Sequence, residues 1–176
     1  MSSDEALFEK LIAGDLRAFD LLYARHARPL SGFIRAYTNE ASEVEDLLHE
    51  TFMTLLRQRS SAGRIENLRA WLYTVARNLC SKRARSRQRA GRAAEALRGL
   101  DSGALPSAEE ELGARQRVAK LEHALRGLPA ELAEVYRLRS AGLSYEEVAN
   151  VLAIPIGTVK WRVHEMVAEL RKEVER

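Results

Sequence analysis

Hydrophobic residues in the first third of the chain recur at the spacing of α-helices, with two interruptions. Leu7 and Leu11 begin the pattern and Gly14 breaks it. A second apolar run then continues to about Thr38 and contains Pro29. The pattern predicts a short helix followed by a longer one, in which the proline is a candidate kink.

Two more helices are predicted before residue 92. Ser42, followed three residues later by Glu45, matches a capping box for a helix that ends near Arg57. Asn67 is the predicted N-cap of the next helix, which continues into a basic end. The apolar stripe of that helix comprises Leu68, Trp71, Leu72, Val75 and Leu79. The segment QRSSAGRIEN between the two helices is predicted to be a loop.

Periodicity weakens between Gly91 and about Gly113, where glycine, serine and proline interrupt any regular element. This segment predicts a flexible linker over 93–114, between a domain over 1–92 and a second domain over 115–176. Four short helical patterns follow it, at about 114–126, 129–140, 144–152 and 157–172.

The stretch from Gly142 to Val163 has the helix start and stop signals of a helix-turn-helix motif. Ser144 with Glu147 forms a capping box, and Pro155 prevents the first helix from continuing. Such motifs place the N-terminal part of their second helix in the major groove of DNA. The residues predicted there are Thr158, Lys160, Trp161, Arg162 and His164. The alternative is an ordinary helical corner with a solvated basic face.

Composition supports helices throughout, because Ala and Leu together number 51 against 15 for Val and Ile. We therefore expect an all-α protein of two small helical domains. The net charge of +3 hides a split, since residues 1–92 have 16 basic and 11 acidic side chains, whereas 93–176 have 12 and 14. The excess of basic charge is therefore in the N-terminal half.

Several function classes find no support in the sequence. The single cysteine, Cys80, excludes an intramolecular disulfide framework and is expected to be a small core residue. We find no signal peptide, no long apolar segment and no motif of a catalytic, metal or nucleotide site. The expectation is a soluble cytoplasmic protein without catalytic activity, metal, cofactor or membrane insertion.

Three segments of the N-terminal half and one of the C-terminal half resemble extracytoplasmic-function (ECF) sigma factors of the sigma-70 family. AFDLLYARHARPLSGFIRAY, VEDLLHETFMTLL and NLRAWLYTVARNLCSKRAR are similar to region 2, in the family's order. LPAELAEVYRLRSAGLSYEEVANVLAIPIGTVKWRV is similar to region 4. The resemblance implies a factor that guides core RNA polymerase to promoters and helps to melt the minus-ten region.

The resemblance also assigns a polymerase-binding surface. An outward row of Glu43, Asp46, Glu50, Met53 and Arg57 is predicted on the third helix, and acidic side chains there favour a protein partner over DNA. The family's β′ coiled-coil contact corresponds to Asp46, Leu47, Leu48 and His49, with Glu50 beside them. His49 replaces the usual glutamine, so we expect a weaker or pH-sensitive contact.

Contacts to the minus-ten element are expected from the basic fourth helix and from the loop before it. Six basic residues without an acid between Lys82 and Arg92 favour phosphate contacts, and Tyr73 is preferred over Trp71 as a stacking aromatic. The candidates on the helix are Tyr73, Arg77, Asn78, Lys82 and Arg85. By resemblance, the loop forms a pocket for a flipped base, with Ser60, Ser61 and Arg64 as candidate hydrogen-bonding residues.

The C-terminal helix departs from the family pattern at several positions. Trp161 and Val163 replace serine and leucine, and Glu165, Met166 and Val167 stand where basic or small residues are common. Ala153 replaces a usual turn glycine. We expect weaker phosphate anchoring or an altered minus-thirty-five preference, with Trp161 contacting a thymine methyl group. The competing interpretation is that Trp161, Met166 and Val167 extend the core.

The expected partners are core RNA polymerase, through its β′ coiled coil and β subunit, promoter DNA and an anti-sigma factor. The free protein is expected to be monomeric. Two alternatives remain at this point: a dimeric helix-turn-helix regulator that reads two-fold symmetric sites, and an all-α interaction protein that binds no nucleic acid.

Overall fold

The computed structural model describes residues 2–59, 65–95 and 123–175, and all regular structure within these ranges is helical. The helices are α1 (Asp4–Ile12), α2 (Leu16–Arg35), α3 (Ala41–Gln58), α4 (Leu68–Glu95), α5 (123–127), α6 (Ala130–Ser140), α7 (Tyr145–Leu152) and α8 (Ile156–Glu175). The all-α prediction is therefore confirmed. Most of the predicted linker lies outside the described residues, although α4 extends to Glu95.

The first two helices follow the predicted interruption. Ser3 Oγ accepts a hydrogen bond of 3.2 Å from the Ala6 amide and caps α1, and Asp15 caps α2 through the Arg17 amide at 3.0 Å. Gly14 lies between them with φ +98°, a left-handed conformation that favours glycine. Pro29 lies inside α2, which continues to Arg35.

The start of α3 differs from the prediction. The helix begins at Ala41, so Ser42 lies inside its first turn, and the residue at the N-cap position is Glu40, without a capping hydrogen bond from its side chain. The predicted Ser42–Glu45 capping box is therefore wrong. The helix forms because a continuous buried face is available to it, comprising Val44, Leu47, Thr51, Phe52 and Leu55.

The start of α4 is held from two directions. Asn67 Oδ1 accepts a hydrogen bond of 2.8 Å from the Ala70 amide, so the predicted N-cap is confirmed. Glu5 Oε1, on α1, accepts a bond of 3.3 Å from the Leu68 amide. Two of the amides that a helix N-terminus leaves unpaired are thus satisfied, one locally and one by a distant helix.

The residues predicted to end and start helices in the C-terminal half do so in the structure. Gly142 has φ +82°, and Ser144 and Glu147 form a reciprocal capping box at the start of α7. Ala153 ends α7 with φ +52° and ψ +45°, which is the left-handed region that favours glycine. Pro155 precedes α8, so the helix-turn-helix connection is formed as the sequence predicts.

The core is one continuous cluster that crosses from the N-terminal helices (α1–α4) to the C-terminal helices (α5–α8). Helix α2 packs against α1, α3 and α4, while α6, α7 and α8 pack against one another. The two groups meet where α4 contacts α7. None of the described helices combines the length and the apolar composition needed to cross a membrane.

Candidate functional site

The surface of α3 presents three of the five residues assigned to polymerase binding. Asp46, His49 and Glu50 are exposed, whereas Leu48 is half-buried and Leu47 is buried in the core. The exposed residues line one side of a groove of about 450 Å³ between α3 and α4. Lys82 and Arg83 line its other side, so the groove has an acidic wall and a basic wall.

Glu43 does not belong to the outward acidic row. Its side chain is buried, and its carboxylate accepts a hydrogen bond of 2.9 Å from Arg83 Nε and pairs with Arg87. Hydrogen bonding with the Thr38 hydroxyl and with Arg83 lowers the pKa of Glu43, and the charge of Arg87 acts in the same direction. This carboxylate fixes α3 against α4, and the prediction that it is solvent-facing is wrong.

Two sides of α4 have different roles in the structure. Asn78, Lys82 and Arg85 are exposed, and they stand at positions i, i+4 and i+7, which places them along one side of the helix. Within the described residues, Lys82 and Arg85 make no ion pair with a carboxylate. These two cations are therefore exposed to solvent on one side of α4.

Tyr73 lies on the other side of α4 and is fully buried. Its ring packs against Phe33 with 5.1 Å between the ring centroids, and burial raises the pKa of its hydroxyl. The prediction that Tyr73 is the outward aromatic is wrong, because the C-terminal helices cover this side of α4. Trp71 is half-buried and packs against the core, as expected.

Arg77 is also on the covered side. Its Nε donates a hydrogen bond of 2.5 Å to Glu134 Oε2 on α6, so it is engaged within the chain rather than presented to solvent. The loop candidates Ser60, Ser61 and Arg64 lie outside the described residues. Of the predicted minus-ten residues on α4, the structure therefore leaves Asn78, Lys82 and Arg85 open to solvent.

The second helix of the helix-turn-helix exposes most of its predicted reading residues. Lys160, Trp161 and His164 are exposed, and Thr158 is half-buried. Arg162 differs from these, because its side chain is 17% exposed and donates a hydrogen bond of 2.6 Å to Glu131 on α6. It fastens α8 to α6 in this structure.

The competing interpretation, that Trp161, Met166 and Val167 extend the core, holds for one of these three residues. Met166 is buried, whereas Trp161 is 58% exposed and Val167 is 43% exposed. An indole with most of its surface in water at the start of α8 contributes little to the core. It is instead an apolar side chain available to a partner.

Sequence reasoning missed the residues that join the two groups of helices. Tyr37, Arg69 and Arg77 contact Glu134 and Glu147, which lie between 57 and 97 positions away along the chain. A helical pattern carries no information about such distant pairs. The described residues also contain no cluster of His, Cys, Asp and Glu that is able to hold a metal ion.

Comparison with protein families matches both halves of the chain. Residues 22–90 match Sigma-70 region 2, and residues 118–170 match Sigma-70, region 4. The chain is 27% identical over 170 residues to the ECF RNA polymerase sigma-E factor of Haemophilus influenzae, covering 92% of this chain and 89% of that protein. The chain is an ECF sigma factor of the sigma-70 family.

Two further ECF and RNA polymerase sigma factors are similar over nearly the whole chain. The sigma-E factor of Escherichia coli K12 is 29% identical, covering 92% of this sigma factor and 88% of the relative. The RNA polymerase sigma-H factor of Pseudomonas aeruginosa is 29% identical, covering 91% and 88%. The assignment makes the chain a transcription initiation factor rather than an enzyme. It replaces the two alternatives that the sequence left open, a dimeric helix-turn-helix regulator and an interaction protein that binds no nucleic acid.

Solved structures share the fold. CnrH, in a complex with the cytosolic domain of CnrY, has a TM-score of 0.73 at 23% identity, covering 99% of this sigma factor and 98% of that chain. The sigma factor RpoE of Bartonella quintana, crystallised with the anti-sigma factor NepR, has a TM-score of 0.65 at 24% identity, covering 89% and 96%.

Proposed function

We propose that this ECF sigma factor binds two promoter elements and core polymerase with three separate surfaces. The surface of α4 binds the minus-ten element, that of α8 binds the minus-thirty-five element, and that of α3 docks on polymerase. The exposed row of Asn78, Lys82 and Arg85 on α4 carries the proposal for the minus-ten element. Guanidinium and ammonium groups on one side of a helix bind successive phosphates and set the register of the protein on DNA. The loop residues Ser60, Ser61 and Arg64 then supply base recognition.

The minus-thirty-five element is read by α8. Lys160 and His164 flank Trp161 on the exposed surface at the start of this helix, and Thr158 lies within its first turn. A lysine positions the helix on the phosphates, whereas the indole gives apolar contact with a thymine methyl group. Arg162 joins this surface only when its hydrogen bond to Glu131 is broken.

Polymerase docks on α3. Asp46, His49 and Glu50 are exposed there, and Leu48 is half-buried between them and the core. A carboxylate-rich surface repels DNA, so it suits a cationic protein surface, which we assign to the β′ coiled coil. Leu47 acts from the core by holding the backbone of α3 in position.

The regulatory partner is an anti-sigma factor. RpoE of Bartonella quintana, which shares the fold, was crystallised with one, and this supports the assignment. The working site of the factor is the cytoplasm, where polymerase and the chromosome are. We expect the free chain to be a monomer that reads asymmetric promoters.

Transcription in vitro with core polymerase and a promoter of the chain's own target tests the proposal. Lys82→Ala with Arg85→Ala should reduce initiation at least about tenfold and flatten its salt dependence, since each phosphate contact contributes to the salt slope. Arg17→Ala, an exposed change on α2, is the matched control and should leave both unchanged. Equal loss in the control, or no loss in the double variant, would contradict the minus-ten assignment.

The polymerase surface needs a separate measurement. Asp46→Arg should weaken binding of the factor to core polymerase in the absence of DNA, whereas Glu45→Arg, on a neighbouring exposed position of α3, should weaken it less. If both variants bind core polymerase like the unaltered factor, the assignment to α3 is wrong.

A further inference from the structure

Arg162 differs from the neighbouring candidate reading residues of α8 in the side of the helix on which it lies. It stands three residues after Val159 and four before Met166, both of which are buried. Residues at this spacing share one side of a helix. Arg162 therefore lies on the side of α8 that packs against α6 and α7, whereas Lys160 and Trp161 are exposed to solvent.

A carboxylate on a neighbouring helix holds the guanidinium of Arg162 on this side. Nη2 of Arg162 donates a hydrogen bond of 2.6 Å to Oε2 of Glu131, and the arginine side chain is 17% exposed. A charged donor and a charged acceptor at this distance form one of the stronger kinds of hydrogen bond. This is the one ion pair of Arg162 among the described residues.

The Nε atom of the same guanidinium is not held in this way. It is buried and has no hydrogen-bond partner among the residues that the structure describes. A buried donor without a partner is unfavourable, so packing against α6 does not by itself keep the guanidinium of Arg162 in place. The bond to Glu131 keeps it there, and loss of this carboxylate should let the guanidinium turn toward solvent.

We propose that Glu131 withholds Arg162 from DNA, so that α8 contacts one phosphate fewer than its sequence allows. The inference rests on the proposed reading of the minus-thirty-five element by α8. Glu131 is then a positioning residue, because it acts on DNA binding through Arg162. Its removal should add one cationic phosphate contact. Each such contact steepens the fall of the binding constant with salt by about 0.9 on logarithmic scales.

Glu146 provides a matched control within region 4. It lies in the first turn of α7, as Glu131 lies in the first turn of α6. Hydrogen bonding with its own backbone amide and with Ser144 lowers the pKa of Glu146, and the charge of Lys160 acts in the same direction. Replacing either glutamate by alanine removes one carboxylate near a cation of α8, but only Glu131→Ala releases an arginine.

The experiment measures binding of the full chain to a duplex with the minus-thirty-five element of its own target, by fluorescence anisotropy over a range of salt concentrations. Glu131→Ala should bind about twofold to fivefold more tightly at low salt, the range for one exposed ion pair, and its salt slope should be steeper by about 0.9. Glu146→Ala should leave the slope unchanged. Weaker binding or an unchanged slope in Glu131→Ala would overturn the proposal.

A double variant separates release of Arg162 from the loss of a repulsive charge. Glu131→Ala combined with Arg162→Met should bind no more tightly than Arg162→Met alone, because no guanidinium remains to be released. Methionine is chosen because it keeps an unbranched apolar side chain beside α6. If the double variant gains as much affinity over Arg162→Met as Glu131→Ala gains over the unaltered chain, Glu131 acts by repelling DNA directly and the proposal is wrong.

Binding to heparin, a polyanion without base sequence, distinguishes this inference from the proposed promoter function. Glu131→Ala should elute from immobilised heparin at higher salt than Glu146→Ala, and adding Arg162→Met should abolish the difference. Identical elution of the two glutamate variants would overturn the inference, even if the target duplex is bound. The expected elution order, without any preference for the target duplex over a shuffled one, would instead reject the minus-thirty-five assignment and leave the role of Glu131 in place.

Discussion

Glu43 Oε1 accepts a hydrogen bond of 2.9 Å from Nε of Arg83, forty positions further along the chain. The same carboxylate pairs with Arg87, whose guanidinium also donates to the Tyr37 carbonyl oxygen at 3.2 Å. The basic residues at the end of α4 thus fall into two groups, those that pair within the protein and those that do not. Arg83 and Arg87 pair with the Glu43 carboxylate, whereas Lys82 and Arg85 make no ion pair with any of the described carboxylates.

Replacement of Glu43 by Gln should destabilise region 2. The change leaves two arginines without their carboxylate at a buried position, and we expect the free energy of unfolding to fall by about 1 to 2 kcal/mol, because both arginines are partly exposed. Urea unfolding followed by circular dichroism measures the difference. Glu45→Gln, an exposed neighbour, should change it by less than about 0.5 kcal/mol. Equal effects of the two variants would contradict the pairing.

Acid should weaken the fold through His26. Burial lowers the pKa of this imidazole from its ordinary value of 6.5, although Asp4, at 2.8 Å from Nε2, opposes the shift. The unfolded chain therefore binds a proton at a higher pH than the folded chain. The stability from neutral His26 is fully present above pH 6.5 and is lost as pH falls from there through the lower folded pKa.

The measurement is the free energy of unfolding at pH 7.5 and pH 5.5. His26→Gln should reduce the loss of stability between the two values, whereas the same change at the exposed His49 should not. A pH dependence that is identical in the unaltered chain and in His26→Gln would show that this histidine is not responsible.

Ala153→Gly should stabilise region 4. The residue has φ +52°, where an L side chain is strained, so glycine relieves roughly 1 to 2 kcal/mol and costs about 0.5 to 1 kcal/mol of backbone entropy. We expect a net gain of about 0.5 to 1 kcal/mol, seen as a higher melting temperature. Ala168→Gly, inside α8, should lower it by the helix propensity of glycine. If Ala153→Gly and Ala168→Gly both lowered the melting temperature, or both raised it, the result would be inconsistent with backbone strain at Ala153.

Trp161→Ala should weaken minus-thirty-five binding without reducing stability. The indole is 58% exposed, so its removal leaves the core intact, but it deletes a large apolar group from the surface of α8 that we propose reads the minus-thirty-five element. We expect the binding free energy for a minus-thirty-five duplex, measured by fluorescence anisotropy, to fall by about 1.5 to 3 kcal/mol, the range for burial of one large apolar side chain. Val167→Ala, also exposed on α8, is the control. A loss of melting temperature that matches the loss of binding would instead favour a core role.

The sequence predicted what local rules decide and missed what distant contacts decide. The Asn67 cap, the Ser144–Glu147 capping box and the break at Gly14 depend on neighbours within four residues, and all three are present. The Ser42–Glu45 box satisfied the same rule and failed. Helix α3 begins at Ala41, two residues earlier than an N-cap at Ser42 predicts, and the structure gives no side-chain capping bond there.

The exposure of single residues on α4 was harder to predict. Tyr73 lies off the apolar stripe of its own helix, and a pattern confined to that helix predicts solvent around it. Its burial comes from Phe33 on one side and from the packing of region 4 on the other. Glu43 and Arg77 were misjudged for the same reason, because their partners, Arg87 and Glu134, are 44 and 57 positions away. A single helical period does not contain that information.

The start of α4 is held by two side chains, so sequence changes in the segment before the helix differ in effect from changes at Asn67 or Glu5. Asn67 and Glu5 hold the first amides of this helix, so the start of α4 is secured by side chains that lie outside residues 60–64. Substitutions in that segment need not alter the helix that follows it. Under the proposed function, sequence changes at Ser60, Ser61 and Arg64 would therefore alter the minus-ten preference of the factor, while the start of α4 keeps its two side-chain contacts.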